Sequence, residues 1–131
     1  MTLLPAVETH DRKEEAYEAT KRLLSEQRAL GGLYVNTANS AAVIRALEES
    51  GKLGKVQLIT TDLFADLIPL IEQGQIVATL DQRPFTQGRL AFELMASYLV
   101  SGKRPKVQTR LSPHIVLRSN LPLFADRVRG A

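Results

Sequence analysis

The sequence predicts an α/β fold in which a three-layer parallel sheet is built from strands that alternate with helices. Short apolar runs rich in β-branched residues are typical of strands buried in a parallel sheet. Between them lie longer segments whose apolar residues recur at helical spacing. The resulting order, βαβαβαβα followed by β, predicts right-handed crossovers with helices on both faces of the sheet.

Length and composition are those of one globular domain. The chain has 131 residues, of which 44% are hydrophobic and 24% are charged, which is enough to bury a core. No apolar run approaches the roughly 18 residues that a membrane span needs, and the first residues lack the basic and apolar regions of a secretory signal. Cysteine is absent, which excludes disulfides, thiolate catalysis and cysteine-ligated metals.

The basic residues do not predict a nucleic-acid surface. The net charge is +3, and the small basic clusters at residues 103–106 and 127–129 carry no interleaved aromatic side chains. No helix-turn-helix pattern accompanies them, so we expect both clusters to be solvated surface.

The first predicted strand is residues 3–8, although Pro5 suits the edge or the beginning of a strand better than its centre. A helix is predicted over residues 11–29, because Asp11 and Glu14 have the spacing of a capping box and helical periodicity follows. A glycine pair then ends this helix.

Two further strands are predicted at residues 33–36 and 56–60, each short, apolar and followed by polar residues. Asn39 can cap the helix between them, and Gly51 ends that helix. A short helix or helical turn is predicted over residues 63–73.

The clearest strand is residues 76–80, which end on the polar pair Asp81 and Gln82. Pro84 has no N–H to donate and suits the first turn of a helix, so the strand stops there and a helix is predicted over residues 84–100. Two more strand candidates follow at residues 107–111 and 115–118. The tail after Pro122 is polar, and we expect it to be frayed.

Polar side chains end three of the predicted strands: Asn36, Asp62, and Asp81 with Gln82. Because ligands in open α/β sheets bind beyond the carboxyl ends of the strands, we expect these side chains to meet at a binding site. Amide and carboxylate groups together suit a polyhydroxylated ligand, whose hydroxyls donate and accept. The alternative is that strand ends are polar only because loops are solvated.

Catalytic chemistry has little support in the sequence. His10 beside Asp11 could be a base with its orienting group, but no nucleophile motif accompanies them. No HExxH, P-loop or EF-hand pattern is present, so we expect neither a metal nor a cofactor. A small hydrolase or isomerase of flavodoxin-like fold would depend only on Asp62, Asp81 and His10 lying near one edge of the sheet.

Four segments in order resemble the sensor domain of the LacI transcriptional regulators, which is similar to the periplasmic sugar-binding proteins of type I. They are GLYVNTANSAAVIRALEE, VQLITTDL, IVATLDQRPFTQGRLAFELM and PHIVLRSN. The last segment resembles the regulators more than the transport proteins. The resemblance implies the periplasmic-binding-protein-like I C-terminal lobe and a protein that is not an enzyme.

The resemblance also implies a division of the chain. Residues 1–82 would be the C-terminal lobe of the effector-binding domain, and residues 83–113 a helix and strand that belong to the N-terminal lobe in the family. Residues 114–121 would be the closing strand of the C-terminal lobe, and residues 122–131 a tail. The DNA-binding headpiece and most of the N-terminal lobe would be absent.

In this family, Asn36, Asp62 and Gln82 would contact a small sugar or related effector, with His10 or Asp11 lining the pocket near the first helix. The implied function is effector sensing by a cytoplasmic LacI-type regulator that reaches DNA only through its headpiece and has no membrane partner. The alternative is the C-terminal lobe of a periplasmic sugar-binding protein of an ABC transporter. An upstream helix-turn-helix headpiece or an upstream secretory signal would distinguish the two.

The helix predicted over residues 84–100 is apolar over more than one stripe, so it should be buried on several sides. Without its partner lobe, it would leave an exposed apolar patch next to an unpaired strand at residues 107–111. We therefore expect a homo-oligomer, a two-fold dimer through this helix. The alternative is a monomer in which the helix folds onto its own sheet.

Overall fold

Four short strands form a single sheet in the computed structural model, which describes residues 2–129 except for the side chains of residues 126, 127 and 129. The strand order follows the sequence and contains β1 (Gly32–Tyr34), β2 (Gln57–Thr61), β3 (Ala78–Asp81) and β4 (His114–Val116). The first three strands are parallel, and β4 is antiparallel to β3. The predicted α/β class is confirmed, with one antiparallel edge strand added to the parallel sheet.

Helices fill the connections between successive strands, as the alternating pattern predicts, and one more helix lies before β1 and another after β4. They are α1 (Lys13–Glu26), α2 (Ser40–Glu49), α3 (Ile68–Glu72), α4 (Pro84–Ser101) and α5 (Pro122–Arg129), and a 3₁₀ turn (Ala65–Leu67) leads into α3. Pro84 is the first residue of α4, as its missing N–H predicts. Gly102 ends α4 in a left-handed conformation, with φ of 68°.

Most of the fully buried strand residues lie on one face of the sheet, although Thr61 and Ala78 on the other face are buried too. Side chains alternate between faces along a strand, and Leu58, Thr60, Thr79 and Val116 on one face are completely buried. Leu58 and Val116 belong to one hydrophobic cluster with residues from α1, α2, α3 and α5. On the opposite face, Tyr34 and Ile115 are largely exposed, so the helices of the described chain cover the two faces unequally.

Two segments with strand-like sequences form no strand. Residues 3–8 and 107–111 have no partner strand in the described chain, and Val107 is fully exposed. A strand needs ladder hydrogen bonds from a neighbour, and β-propensity alone does not supply them. The predicted first strand and the predicted strand at residues 107–111 are therefore wrong for this structure.

The start of α1 also differs from the prediction. The helix begins at Lys13 and ends at Glu26, and its N-cap residue, Arg12, makes no side-chain capping bond. The Asp11 carboxylate is occupied elsewhere, because it accepts a hydrogen bond from Asn39 Nδ2 at 2.9 Å. The same contact removes Asn39 as a side-chain cap for α2.

The tail is ordered as a helix over much of its length. Leu121 and Ala125 are buried, and the Phe124 ring contacts the His114 ring with centroids 5.2 Å apart. The prediction of a frayed tail is wrong for residues 122–125, because apolar side chains dock this turn against the core. Residues 130 and 131, and the side chains of Arg127 and Arg129, lie outside the described part of the chain.

Candidate ligand site at the carboxyl ends of the strands

Asp62 follows β2 directly and adopts a left-handed backbone conformation, with φ of 61°. This conformation is unfavourable for a residue other than glycine, and two hydrogen bonds hold it in place. The Asp62 N–H donates to the Leu80 carbonyl at 2.9 Å, and the Thr79 hydroxyl donates to the Asp62 carbonyl at 2.6 Å. The carboxylate is therefore fixed at the end of the sheet by the neighbouring strand.

Gln82 lies against the same carboxylate. Its backbone N–H donates to Asp62 Oδ1 at 2.9 Å, and its Nε2 lies 3.4 Å from Asp62 Oδ2. The Gln82 carbonyl in turn accepts from Gln87 Nε2 at 2.6 Å, in the first turn of α4. The structure thus brings together two of the predicted site residues, one after β2 and one after β3.

Asn36 follows β1 and is exposed. The Tyr34 hydroxyl donates to Asn36 Oδ1 at 3.1 Å. The same hydroxyl lies 3.4 Å from Thr61 Oγ1, and the Thr61 hydroxyl donates to the Val35 carbonyl at 2.8 Å. Tyr34 therefore connects Asn36 to the residue that precedes Asp62, and it leaves the Asn36 amide nitrogen as the donor that can face a ligand.

The electrostatic character of this strand-end site comes from hydrogen-bonding groups rather than from ion pairs. Asp62 is half-buried. Among the ion pairs of the described residues, none involves Asp62. Its carboxylate keeps acceptor capacity beyond the two contacts with Gln82, since each carboxylate oxygen has two lone pairs.

Asp11 and His10 lie in a turn before α1, both with left-handed φ values of 55° and 47°. Asp11 contacts Asn39, which brings it beside the loop that carries Asn36. His10 instead bonds to the first turns of α1, with Nδ1 2.8 Å from Glu15 Oε2. The Glu15 carboxylate raises the pKa of His10, mainly by accepting its hydrogen bond.

Asp81 is the last residue of β3 and pairs in register with His114 of β4. Its Oδ2 lies 3.8 Å from His114 Nδ1, and its Oδ1 accepts from the Arg83 N–H at 3.3 Å. Asp81 therefore lies next to both the segment that leaves the sheet and the strand that re-enters it. Asp62, Asp81 and His10 have three different partners, and no hydrogen bond or ion pair among the described residues joins any two of them.

Three residues that the sequence analysis did not select support the site: Tyr34, Thr79 and Gln87. Tyr34 could have been found, because it lies two residues before Asn36 and so projects from the same face of the strand. Thr79 and Gln87 donate hydrogen bonds to the backbone carbonyls of Asp62 and Gln82. No side-chain motif in the sequence reveals contacts of this kind.

The rest of the described chain adds no metal or membrane feature. Among the residues whose side chains the structure describes, no group of three or more histidine, cysteine or carboxylate side chains could hold a metal ion. None of the helices in the described chain combines the length and apolar character required to cross a membrane.

Comparison with known proteins gives consistent matches. The family model described as periplasmic binding protein domain matches residues 1–104. Among curated proteins, the D-allose-binding periplasmic protein of Escherichia coli (strain K12) is 29% identical over 90 residues, which cover 68% of this chain and 29% of that protein.

Two solved structures have the same fold. The glucose-galactose binding protein GanP from Geobacillus stearothermophilus has a TM-score of 0.77 and 25% identity, over 88% of this chain and 41% of that one. An ABC transporter solute binding protein from Agrobacterium vitis with bound D-fucose has a TM-score of 0.84 and 20% identity, over 95% of this chain and 43% of that one. The chain therefore spans less than half the length of each of these proteins.

Proposed function

The chain belongs to the family of periplasmic binding protein domains, and from this we propose that it is the sugar-binding C-terminal lobe of an ABC-transporter solute-binding protein. The observation that carries the proposal is the contact between Asp62 and Gln82 at the ends of adjacent strands. A fixed carboxylate and an adjacent amide are the groups that recognise neighbouring hydroxyls on a sugar ring. The relatives named for D-allose and for glucose and galactose, and the one holding D-fucose, point to a monosaccharide.

The site would recognise the sugar by dividing donors and acceptors among three strand ends. Asp62 accepts hydrogen bonds from one or two sugar hydroxyls, and the Asn36 amide nitrogen donates to another. Gln82 supplies its side-chain oxygen as an acceptor while its backbone N–H stays bonded to Asp62. Since these groups are held by the protein before binding, little ordering of side chains opposes association.

The regulator interpretation is the weaker candidate. It depends most on the segment PHIVLRSN, which lies beyond residues 1–104, where the family model matches. The relatives described above are sugar-binding proteins, and two carry the words periplasmic or ABC transporter in their names. Control of DNA through a headpiece and the cytoplasmic location belong to the regulator interpretation and remain predictions, decided by the coding sequence upstream of Met1.

We also propose that the lobe binds its sugar without transforming it. The three side chains that could support catalysis have separate partners: His10 bonds to Glu15, Asp81 lies beside His114, and Asp62 bonds to Gln82. Prolonged incubation with a monosaccharide should return it unchanged in a carbon NMR spectrum. Turnover that an Asp62→Asn variant abolishes would instead support the hydrolase or isomerase interpretation.

The binding proposal can be tested by following the backbone amide chemical shifts in ¹H–¹⁵N NMR spectra while D-allose, D-galactose or D-fucose is added. We expect weak, saturable shifts at Asn36, Asp62 and Gln82, because one lobe encloses only part of a ligand. The amide of Asp66, an exposed residue of the 3₁₀ turn, serves as the internal control and should not shift. Saturable shifts confined to other regions, or none at high millimolar sugar, would contradict the proposal.

A further inference from the structure

Two polar residues that precede neighbouring helices bond to each other instead of to their own helices. Asp11 and Glu14 have the spacing of a capping box at α1, and Asn39 is the N-cap residue of α2. Neither of these two helices has a side-chain capping bond. Asn39 Nδ2 donates to Asp11 Oδ1 at 2.9 Å, across 28 positions of sequence. Each residue therefore makes a distant bond where a local capping bond was available, which indicates that the contact has a role of its own.

The turn that carries Asp11 is strained. His10 and Asp11 both have left-handed φ values, 47° and 55°, which are unfavourable for residues with a Cβ atom. Consecutive residues persist in this conformation only where the surrounding structure holds them, as it does at functional sites. The hydrogen bonds of His10 go to Glu8 and Glu15 in the same segment, whereas Asn39 ties Asp11 to a distant loop.

Asn39 is firmly held in the loop between β1 and α2. It is only 4% exposed, and its N–H donates to Thr37 Oγ1 at 3.3 Å. Its carbonyl accepts from the N–H groups of Ala42 and Val43 in the first turn of α2, at 3.1 and 3.3 Å. Asn36 lies three positions earlier in the same loop. Because three residues span at most about 11 Å, an anchor on Asn39 limits where the backbone of Asn36 can lie.

We propose that Asp11 is a positioning residue of the sugar site. Through Asn39 it fixes the loop that carries Asn36, so the turn before α1 and the loop after β1 form one wall of the site. Tyr34 holds the Asn36 side chain, and Asp11 holds the backbone from which that side chain projects. Asp11 thus acts on the sugar through Asn39 rather than by touching it. The ligand in this proposal rests on the proposed function, but the ordering of the loop by Asp11 does not.

A second contact between α1 and α2 provides a matched control. The Tyr17 hydroxyl donates to the carboxylate of Glu49, which is the last residue of α2. At 1.5 Å per helical residue, Glu49 lies about 15 Å along the helix from Asn39. Tyr17→Phe therefore removes a hydrogen bond between the same two helices without touching the loop that carries Asn36.

Heteronuclear {¹H}–¹⁵N NOE measurements on the full chain without sugar test the ordering of the loop. Asp11→Ala should lower the NOE values at residues 36–38, because Asn39 loses its acceptor. Asp11→Asn should restore them, since its amide oxygen can accept the same bond, and Tyr17→Phe should leave them unchanged. Circular dichroism would verify that each variant is folded. A loop that is as ordered in Asp11→Ala as in the wild type would overturn the proposal.

Titrations with D-allose, D-galactose and D-fucose separate positioning from direct contact. Asp11→Ala should raise the dissociation constant roughly three- to tenfold, because the loop must then be ordered on binding, whereas Asp11→Asn and Tyr17→Phe should bind like the wild type. The double variant Asp11→Ala, Asn39→Ala should lose no more affinity than either single variant, since both substitutions break one bond.

Two outcomes of the titrations would count against different claims. Equal losses in Asp11→Ala and Asp11→Asn would show that the carboxylate itself contacts the sugar, and the positioning role would be wrong. A wild-type chain that binds none of the three sugars would contradict the proposed function, and the NOE values at residues 36–38 would still decide whether Asp11 orders the loop.

Discussion

The backbone N–H of Gln82 donates a hydrogen bond to the carboxylate of Asp62 at 2.9 Å. This contact connects the residue after β3 to the residue after β2. One bond therefore fixes both the Asp62 carboxylate and the start of the segment that leads from β3 into α4. Asp62 holds this position at a left-handed φ of 61°, and the predictions below test what depends on it.

Replacing Asp62 with alanine should weaken monosaccharide binding by about 1–3 kcal/mol, because sugar hydroxyls and the Gln82 N–H lose their acceptor. Affinity is measured by titration calorimetry on the longest form of the protein that binds sugar. Asp66→Ala, which removes an exposed carboxylate from the 3₁₀ turn, is the control and should bind normally. Unchanged affinity in Asp62→Ala would remove this residue from the site.

Thr79 and Thr60 are a matched pair for testing the buried hydroxyl that supports Asp62. They are register partners on adjacent strands, and both are completely buried. Thr79 donates to the Asp62 carbonyl, so Thr79→Val should lower the free energy of unfolding by about 1–2 kcal/mol.

The Thr60 hydroxyl has no hydrogen-bond partner among the described residues, so Thr60→Val should be neutral or stabilising. Urea denaturation of both variants measures the difference, with Thr79→Ser expected to retain most of the stability. Equal losses for the two valine variants would show that the bond from Thr79 to Asp62 contributes nothing specific.

Removing the hydroxyl of Tyr34 should affect binding more than folding. Tyr34→Phe leaves Asn36 Oδ1 without its donor, so the amide can rotate and sugar affinity should fall several-fold. Because Tyr34 is exposed, the urea midpoint should change little. Tyr98→Phe, on α4, is the control for loss of a tyrosine hydroxyl. If Tyr34→Phe binds sugar like the wild type, Tyr34 does not orient the Asn36 amide.

The pair formed by His10 and Glu15 should produce a titration that NMR can follow. Glu15 raises the pKa of His10 above 6.5, and His10 lowers the pKa of Glu15 below 4.5. The His10 contribution to stability is therefore complete below pH 6.5 and is lost as the pH rises through the folded-state pKa. The Glu15 contribution is present above pH 4.5 and is lost as the pH falls.

Glu15→Gln should return the pKa of His10 towards 6.5, measured from the imidazole proton shifts. Glu18→Gln, one turn further along α1, is the control and should leave the raised value in place. A His10 pKa that is the same in wild type and Glu15→Gln would show that the two side chains do not interact in solution.

The meeting of polar side chains at the strand ends could be predicted from the sequence, because it follows from the direction of neighbouring strands. Parallel strands end at one edge, so the polar residues after β2 and β3 had to meet, and Asp62 and Gln82 do. Pro84 likewise marked the start of α4, since its missing N–H restricts it to the first turn. The roles of Asn36, Asp62, Gln82, His10 and Asp11 in binding remain predictions.

What the sequence did not predict depends on distant partners. Residues 3–8 and 107–111 have the composition of strands but lack a neighbouring strand to bond. Asp11 has the spacing of a helix cap, yet Asn39, far away in the sequence, competes for its carboxylate. The helical tail escaped prediction because its stability comes from docking of Leu121 and Ala125, and not from its own composition.

The antiparallel pairing of Asp81 with His114 has a consequence for the modularity of the lobe. These register partners are the two ends of the excursion that carries α4, so β3 and β4 are in effect the arms of a hairpin with a very long loop. The arms remain neighbours whatever lies between residues 87 and 114, so the outer part of this connection is a detachable insert, open to exchange or redesign. Gln82 and Gln87 must stay, because they bond to the Asp62 carboxylate and to the Gln82 carbonyl.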